Sequence, residues 1–197
     1  MRDRSPDVRR ILEFLQPLPE PRRYPALVVL VGPPGTGKTT FARRLRELVP
    51  VTILSADDVR KSLFPQPSYS QQEHARVFGV AYSVLEDLLA RGVPTVFDAT
   101  NLQEHLRQRL YRIAERSGAR PVVVAFETPS AAVRQRIERR FAEPSVWDRS
   151  DAGWTVHESL AANAEVVRGW HFVVDMSGDA SSALANVAAA VRGANLH

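Results

Sequence analysis

Apolar residues along this chain follow two alternating patterns. From residue 26 onward, short unbroken apolar runs bounded by turn residues alternate with longer stretches whose apolar positions recur every three or four residues. The runs at 27–31, 51–54, 95–98, 122–126 and 172–174 predict strands. The helical spacing predicts helices near 38–48, 57–64, 70–91, 103–117, 130–142, 152–168 and 179–192. A strand apolar at every position is buried on both faces, so strands of this kind between amphipathic helices predict a parallel sheet covered on both sides. Ligands of such sheets sit at the carboxyl ends of the strands. Ahead of the sheet, Val8, Ile11, Leu12 and Leu15 space a helix over 6–16, and the proline-studded stretch 17–25 reads as an extended connector. Two units are expected: a helix with its connector (1–25) and one domain (26–197).

The first strand runs into GPPGTGKTT, which satisfies the G-x-x-x-x-G-K-[ST] pattern between strand and helix. Glycines in such a loop aim backbone N–H groups at phosphate oxygens, and the helix that follows adds its positive end. The expected nucleotide cradle is Gly32, Gly35, Thr36, Gly37, Lys38, Thr39 and Thr40. Within it, Lys38 bridges the β- and γ-phosphates and the Thr39 hydroxyl ligates Mg²⁺. The expected cofactors are ATP and Mg²⁺.

The third strand ends in Asp98, a second candidate for the Mg²⁺ shell. Alanine follows it at position 99 where motor ATPases place glutamate, and no N-K-x-D base-reading element is present. A small-molecule or nucleotide kinase fits better than a motor or a GTPase switch. After the second strand comes SADDVR. Ser55 and Asp58 form a capping box, which gives Asp58 a structural role. Asp57 remains at the sheet's carboxyl edge as a candidate general base, and Arg60 as a ligand for an anionic group on the acceptor.

Composition changes this picture little. The 197 residues are 44% hydrophobic and 24% charged, enough for one domain with a substantial core. There is no cysteine, hence no disulfide and no thiolate metal site. With no apolar run long enough for a signal peptide or a membrane span, a cytoplasmic protein without membrane contact is expected. Only Lys38 and Lys61 among the 26 basic residues are lysines. Arginine suits phosphate recognition, but coding-sequence base composition also explains the excess.

Taken together, GPPGTGKTT, SADDVRKSLF and FDATN resemble the P-loop kinases related to the 5′-kinase domain of phage polynucleotide kinase, with many bacterial kinases in the same group and zeta toxins as more distant relatives. The resemblance covers about residues 26–175. It implies an α/β P-loop NTPase three-layer sandwich: a five-stranded parallel sheet in order 2-3-1-4-5, helices on both faces and a helical lid at about 134–160. It implies transfer of the γ-phosphoryl group to a hydroxyl, with Asp57 as base, Arg60 on an acceptor phosphate, and Thr100 and Asn101 lining the acceptor side. Lid arginines four apart would clasp the phosphates. Arg136 and Arg140 have that spacing, with Arg134 and Arg139 as competitors.

Residues 145–160 depart from the phage enzyme, so the acceptor stays open. A DNA or RNA 5′-hydroxyl is the first expectation and a sugar, nucleoside or antibiotic hydroxyl the second. A nucleotide-binding regulatory module is a lesser third. Trp147 and Trp154 either stack on a base or pack the lid, while His157 and His171 are expected to be structural.

Overall fold

The computed structural model describes residues 5–142 and 152–193, apart from the side chains of Arg140 and Phe141. Its centre is a five-stranded sheet in the order β2-β3-β1-β4-β5, with every pairing parallel. The strands are β1 (Ala26–Val31), β2 (Thr52–Ser55), β3 (Thr95–Asp98), β4 (Arg120–Phe126) and β5 (Phe172–Val174). β1 pairs on both sides, Val28 standing between Val96 and Val122. All six of its residues are buried.

Strand alternation divides those residues between two cores. Leu27, Val29 and Val31 join the cluster under α1 (Pro6–Phe14), α3 (Ala56–Leu63), α4 (Gln71–Ala90) and α5 (Glu104–Arg116). Ala26, Val28 and Leu30 join the cluster under α2 (Lys38–Leu48) and α8 (Ser181–Arg192). The three layers follow directly from this division. No helix among the described residues is long and apolar enough to cross a membrane.

The N-terminal helix lies against α4 and α3, burying Val8, Ile11 and Leu12. Asp7 in its first turn pairs with Arg76 at 2.8 Å. Its spacing persists to residue 16 in the sequence, but the helix ends at Phe14, just ahead of Pro17.

The largest departure from the predicted elements lies after the fourth strand. α6 (Ser130–Ala142) keeps its expected span, whereas the helix predicted over 152–168 is the shorter α7 (Trp154–Ala162). Asn163 caps it by donating to the Ser159 carbonyl at 2.7 Å. Beyond that point the chain is drawn off the helical path by partners elsewhere. Glu165 N–H donates to the Leu102 carbonyl at 3.0 Å, and Arg107 donates to the carbonyls of Glu165 (3.1 Å) and Val166 (2.9 Å).

Arg107 is fully buried and also donates to the carbonyls of Asn101 (2.9 Å) and Leu102 (2.8 Å) while pairing with Glu104. One guanidinium therefore ties α5, the loop after β3 and the segment leading to β5. Removing it takes the donor from two buried carbonyls, two part-buried ones and a carboxylate. We predict that Arg107→Met destabilises the fold by about 3–5 kcal/mol in chemical denaturation, the range found when one partner of a buried network is lost.

Candidate active site

The loop between β1 and α2 is shaped by two glycines with positive φ, Gly35 at 82° and Gly37 at 99°. Neither position has room for a side chain. A Cβ on Gly35 would stand 2.9 Å from Val133 of α6, and one on Gly37 would stand 2.9 Å from Met176 after β5. The loop is thus held between α6 and the β5 end. Lys38 Nζ and Thr36 Oγ1 both donate to the Pro33 carbonyl, at 2.8 and 2.9 Å. Gly32 N–H donates to the Thr100 carbonyl at 3.0 Å, joining the loop to the end of β3.

Thr39, in the first turn of α2, donates its hydroxyl to Asp98 Oδ2 at 2.7 Å. Burial raises the Asp98 carboxyl above its ordinary range, opposed by the Lys38 ammonium and the Thr39 hydrogen bond, while Asp58 adds to the rise. A hydroxyl and a carboxylate oxygen side by side form a hard-oxygen donor set of the kind Mg²⁺ takes.

A cavity of about 680 Å³ opens over this loop. Asp57 stands half-buried in its wall, in the first turn of α3. The cap of α3 is Ser55, whose Oγ accepts from the backbone N–H of the neighbouring Asp58 at 3.3 Å. Burial, and then the charge of Asp98, raise Asp57 from 3.8 to about 6 against the pull of Lys38, Arg60 and Lys61. A carboxyl titrating there can accept a proton near neutral pH.

Arg60 also lines the cavity, with its charge matched by a buried partner. Glu73 in the first turn of α4 pairs with Arg60 and accepts from Ser68 N (2.6 Å), Ser68 Oγ (2.9 Å) and Tyr69 N (3.2 Å). Burial by itself would raise Glu73, but Arg60 and the Ser68 donors outweigh it and hold the carboxyl below its ordinary value. Tyr69, at φ 56°, lays its ring 5.0 Å from the Arg60 guanidinium. His74, tilted against Phe78 at 4.5 Å, closes that end. Burial and the nearby Arg60 lower its pKa.

Thr100 reaches the cavity wall and Asn101 does not. The Asn101 side chain is buried, at φ 47°, and donates to the Leu30 carbonyl at 2.8 Å, which binds the end of β3 to β1. Its expected contact with an acceptor gives way to this backbone tie.

The lid arginines separate by direction. Arg136 donates through Nη2 to the Met176 carbonyl, and its buried Nη1 has no partner among the described residues. That orphan donor lies 3.3 Å from where a Cβ on Gly37 would be, directly over the phosphate loop. An anion in the cradle would complete it, so the residues present fit a nucleotide. Arg139 also lines the cavity. Arg134 turns outward to Glu138 at 3.0 Å and to the Trp154 ring at 5.6 Å. The Arg140 side chain and Trp147 lie outside the described residues.

Trp154 is a packing residue, stacked on His157 at 4.9 Å. His157 is buried, and its Nδ1 stands 2.8 Å from the Pro34 carbonyl. A carbonyl only accepts, so Nδ1 carries the proton and α7 is fastened to the phosphate loop. Sequence reasoning missed both Glu73 and this use of His157. The capping-box spacing Ser70-x-x-Glu73 was a usable signal for Glu73. No local pattern marked His157.

The sheet order, the phosphate loop and the Thr39–Asp98 pair define a P-loop kinase-like domain. A family model described as AAA domain matches residues 27–167, and the chain belongs to that family. Uncharacterized protein Rv2004c of Mycobacterium tuberculosis is 30% identical over 148 residues, covering 69% of this chain and 29% of that protein. The chain therefore spans less than a third of that relative's length. Among solved structures, Chaetomium thermophilum Kti12 in complex with ADP-AlF3 superposes with a TM-score of 0.68 at 19% identity, covering 87% of this chain and all (100%) of that one. Mycobacterium tuberculosis APS kinase CysC, in complex with AMPPNP and APS, gives 0.62 at 16% identity over 85% of this chain and 96% of the other. A chain of the Pnkp1/Rnl/Hen1 RNA repair complex gives 0.61 at 23% identity over 72% and 44%.

Proposed function

We propose that this chain is an ATP- and Mg²⁺-dependent kinase that phosphorylates an alcohol, with the 5′-hydroxyl of a DNA or RNA strand as its acceptor. The observation that carries this reading is Asp57, pushed up to about 6 in the cavity it shares with Lys38, Arg60 and Arg136. Asp57 takes the proton of the acceptor hydroxyl as its oxygen bonds to the γ-phosphorus and the bond from that phosphorus to the β–γ bridging oxygen breaks, releasing ADP. Lys38 and Arg136 hold the phosphate charge, and Thr39 and Asp98 would hold Mg²⁺, which supplies further charge neutralisation. Arg60, aimed by Glu73, meets the phosphate that follows the terminal nucleoside.

A second reading keeps the chemistry and replaces the strand with a small uncharged alcohol. It is favoured by the Arg60–Glu73 pair, which already balances the one arginine placed beside Asp57 on α3.

The test is transfer of labelled γ-phosphate to 5′-hydroxyl DNA and RNA oligonucleotides beside a panel of sugars and nucleosides. Label on an oligonucleotide supports the first reading and label on a small alcohol alone the second. Bound ATP with no acceptor-dependent turnover would overturn both.

The pH profile supplies an independent check. Asp57 works as a base only when ionised, so kcat/KM should fall about tenfold per pH unit below about 6 and level off above it.

A further inference from the structure

Four arginines converge on a second concavity, at the opposite end of the sheet. It is an open depression of about 560 Å³ between the connector, the start of β4 and the end of α8. Arg22, Arg23, Arg120 and Arg192 line it together with Tyr24, and no carboxylate is among its lining residues. It lies at the amino ends of the strands, so the six residues of β1, about 20 Å, separate it from the phosphate loop.

Arginines gather at this end of an α/β sheet for an ordinary reason, because the helices terminate here and their last carbonyls need donors. Arg120 donates through Nη2 to the Ala190 carbonyl, and Arg192 Nη2 donates to the Leu48 carbonyl at 2.8 Å. Those bonds occupy one donor of five on each guanidinium and fix their directions. They leave Arg22 and Arg23 unexplained. Among the described residues, none of the four arginines is in an ion pair with a carboxylate.

The connector that carries the other two is held in place. Arg22 N–H donates to the Gly92 carbonyl at 2.7 Å, and the Pro25 carbonyl accepts from Arg120 N–H at 2.9 Å. Tyr24 is 65% exposed, with the Arg23 guanidinium 5.2 Å from its ring. The result is an unbalanced cluster of charge-assisted donors, two of them anchored, around a ring that can stack.

We propose that this concavity is a second ligand site, one that takes a nucleotide unit with its phosphates on the arginines and its base against Tyr24. The site is independent of the acceptor at Asp57. A nucleic-acid strand and a free mononucleotide both present this chemistry.

The test uses the full chain with its phosphate loop saturated by ADP and Mg²⁺. A dye-labelled, 5′-phosphorylated oligothymidylate is titrated by anisotropy, and AMP by NMR shift changes at residues 22–24. We expect oligonucleotide binding that weakens about tenfold or more in Arg22→Glu/Arg23→Glu, with ADP affinity unchanged. In Arg22→Ala/Arg23→Ala the slope of log affinity against log salt should fall by about 2, roughly one per arginine. Tyr24→Ala should weaken binding without altering that slope. AMP perturbing residues 22–24 while the oligonucleotide fails to bind would keep the site and assign its ligand to mononucleotides. Oligonucleotide binding indifferent to all three variants, or no binding of either probe, would overturn the proposal.

Discussion

Asp57→Asn should retain ATP and lose phosphoryl transfer, by about 10²–10⁴-fold in kcat, the contribution expected of a positioned general base. The substitution keeps the shape of the side chain, so a nucleotide-binding titration should barely move while labelled transfer disappears. A second effect has the opposite sign. The Asp57 carboxyl is raised from 3.8 to about 6 on folding, so between those pH values the native state binds more protons than the unfolded one. Stability contributed by this group therefore declines as pH rises through that window and stays low above it. An asparagine side chain has no charge to desolvate. The variant should be more stable than the parent at pH 8 by about 1–2 kcal/mol, after discounting for partial exposure, and the gap should close towards pH 4. An Asp57→Asn variant that turned over like the parent would remove Asp57 from the chemistry. A stable, inactive variant would mark a site that spends stability on function.

Arg136→Ala should lower kcat by about 10³-fold, the scale of an arginine that meets charge developing on a transferred phosphoryl group. Its unpartnered Nη1 over Gly37 and its hold on the Met176 carbonyl place it where a phosphate oxygen would complete its hydrogen bonding. The control is Arg134→Ala on the same helix. Arg134 faces Glu138 and Trp154 away from the loop, and its loss should change kcat less than about threefold, as for a surface ion pair. Equal losses in both variants, read by single-turnover transfer, would mean that the basic helix acts through bulk charge and that Arg136 has no particular position.

What could be read in the sequence was what depends on neighbours along the chain. The continuous apolar runs marked the strands, most clearly β1, which is buried at every position, while the edge strands β2 and β5 are only partly buried; the order 2-3-1-4-5 came with the resemblance. The Ser55 cap and the phosphate loop are similarly local, each closed within a few residues. Contacts made across long separations left no such trace. Glu73 belongs to Arg60 through a loop whose path depends on Tyr69 adopting a left-handed backbone. His157 reaches Pro34 over more than a hundred residues of chain. α7 stops at Ala162 although its residues would continue, because Arg107 and Leu102 claim the backbone that follows. Asn101, which the resemblance placed on the acceptor side, has an amide that fastens one strand end to another.

The contact between Lys38 and the Pro33 carbonyl has a consequence for how a nucleotide would arrive. Stripping water from an ammonium is the step that ordinarily makes a buried lysine a slow and weak partner. Here that step belongs to folding, since the cation is buried and already meets the Pro33 carbonyl and the charges of Asp57 and Asp98. Capture then becomes an exchange of partners, a carbonyl traded for a phosphate oxygen, within a field the Asp57 and Asp98 carboxyls already share.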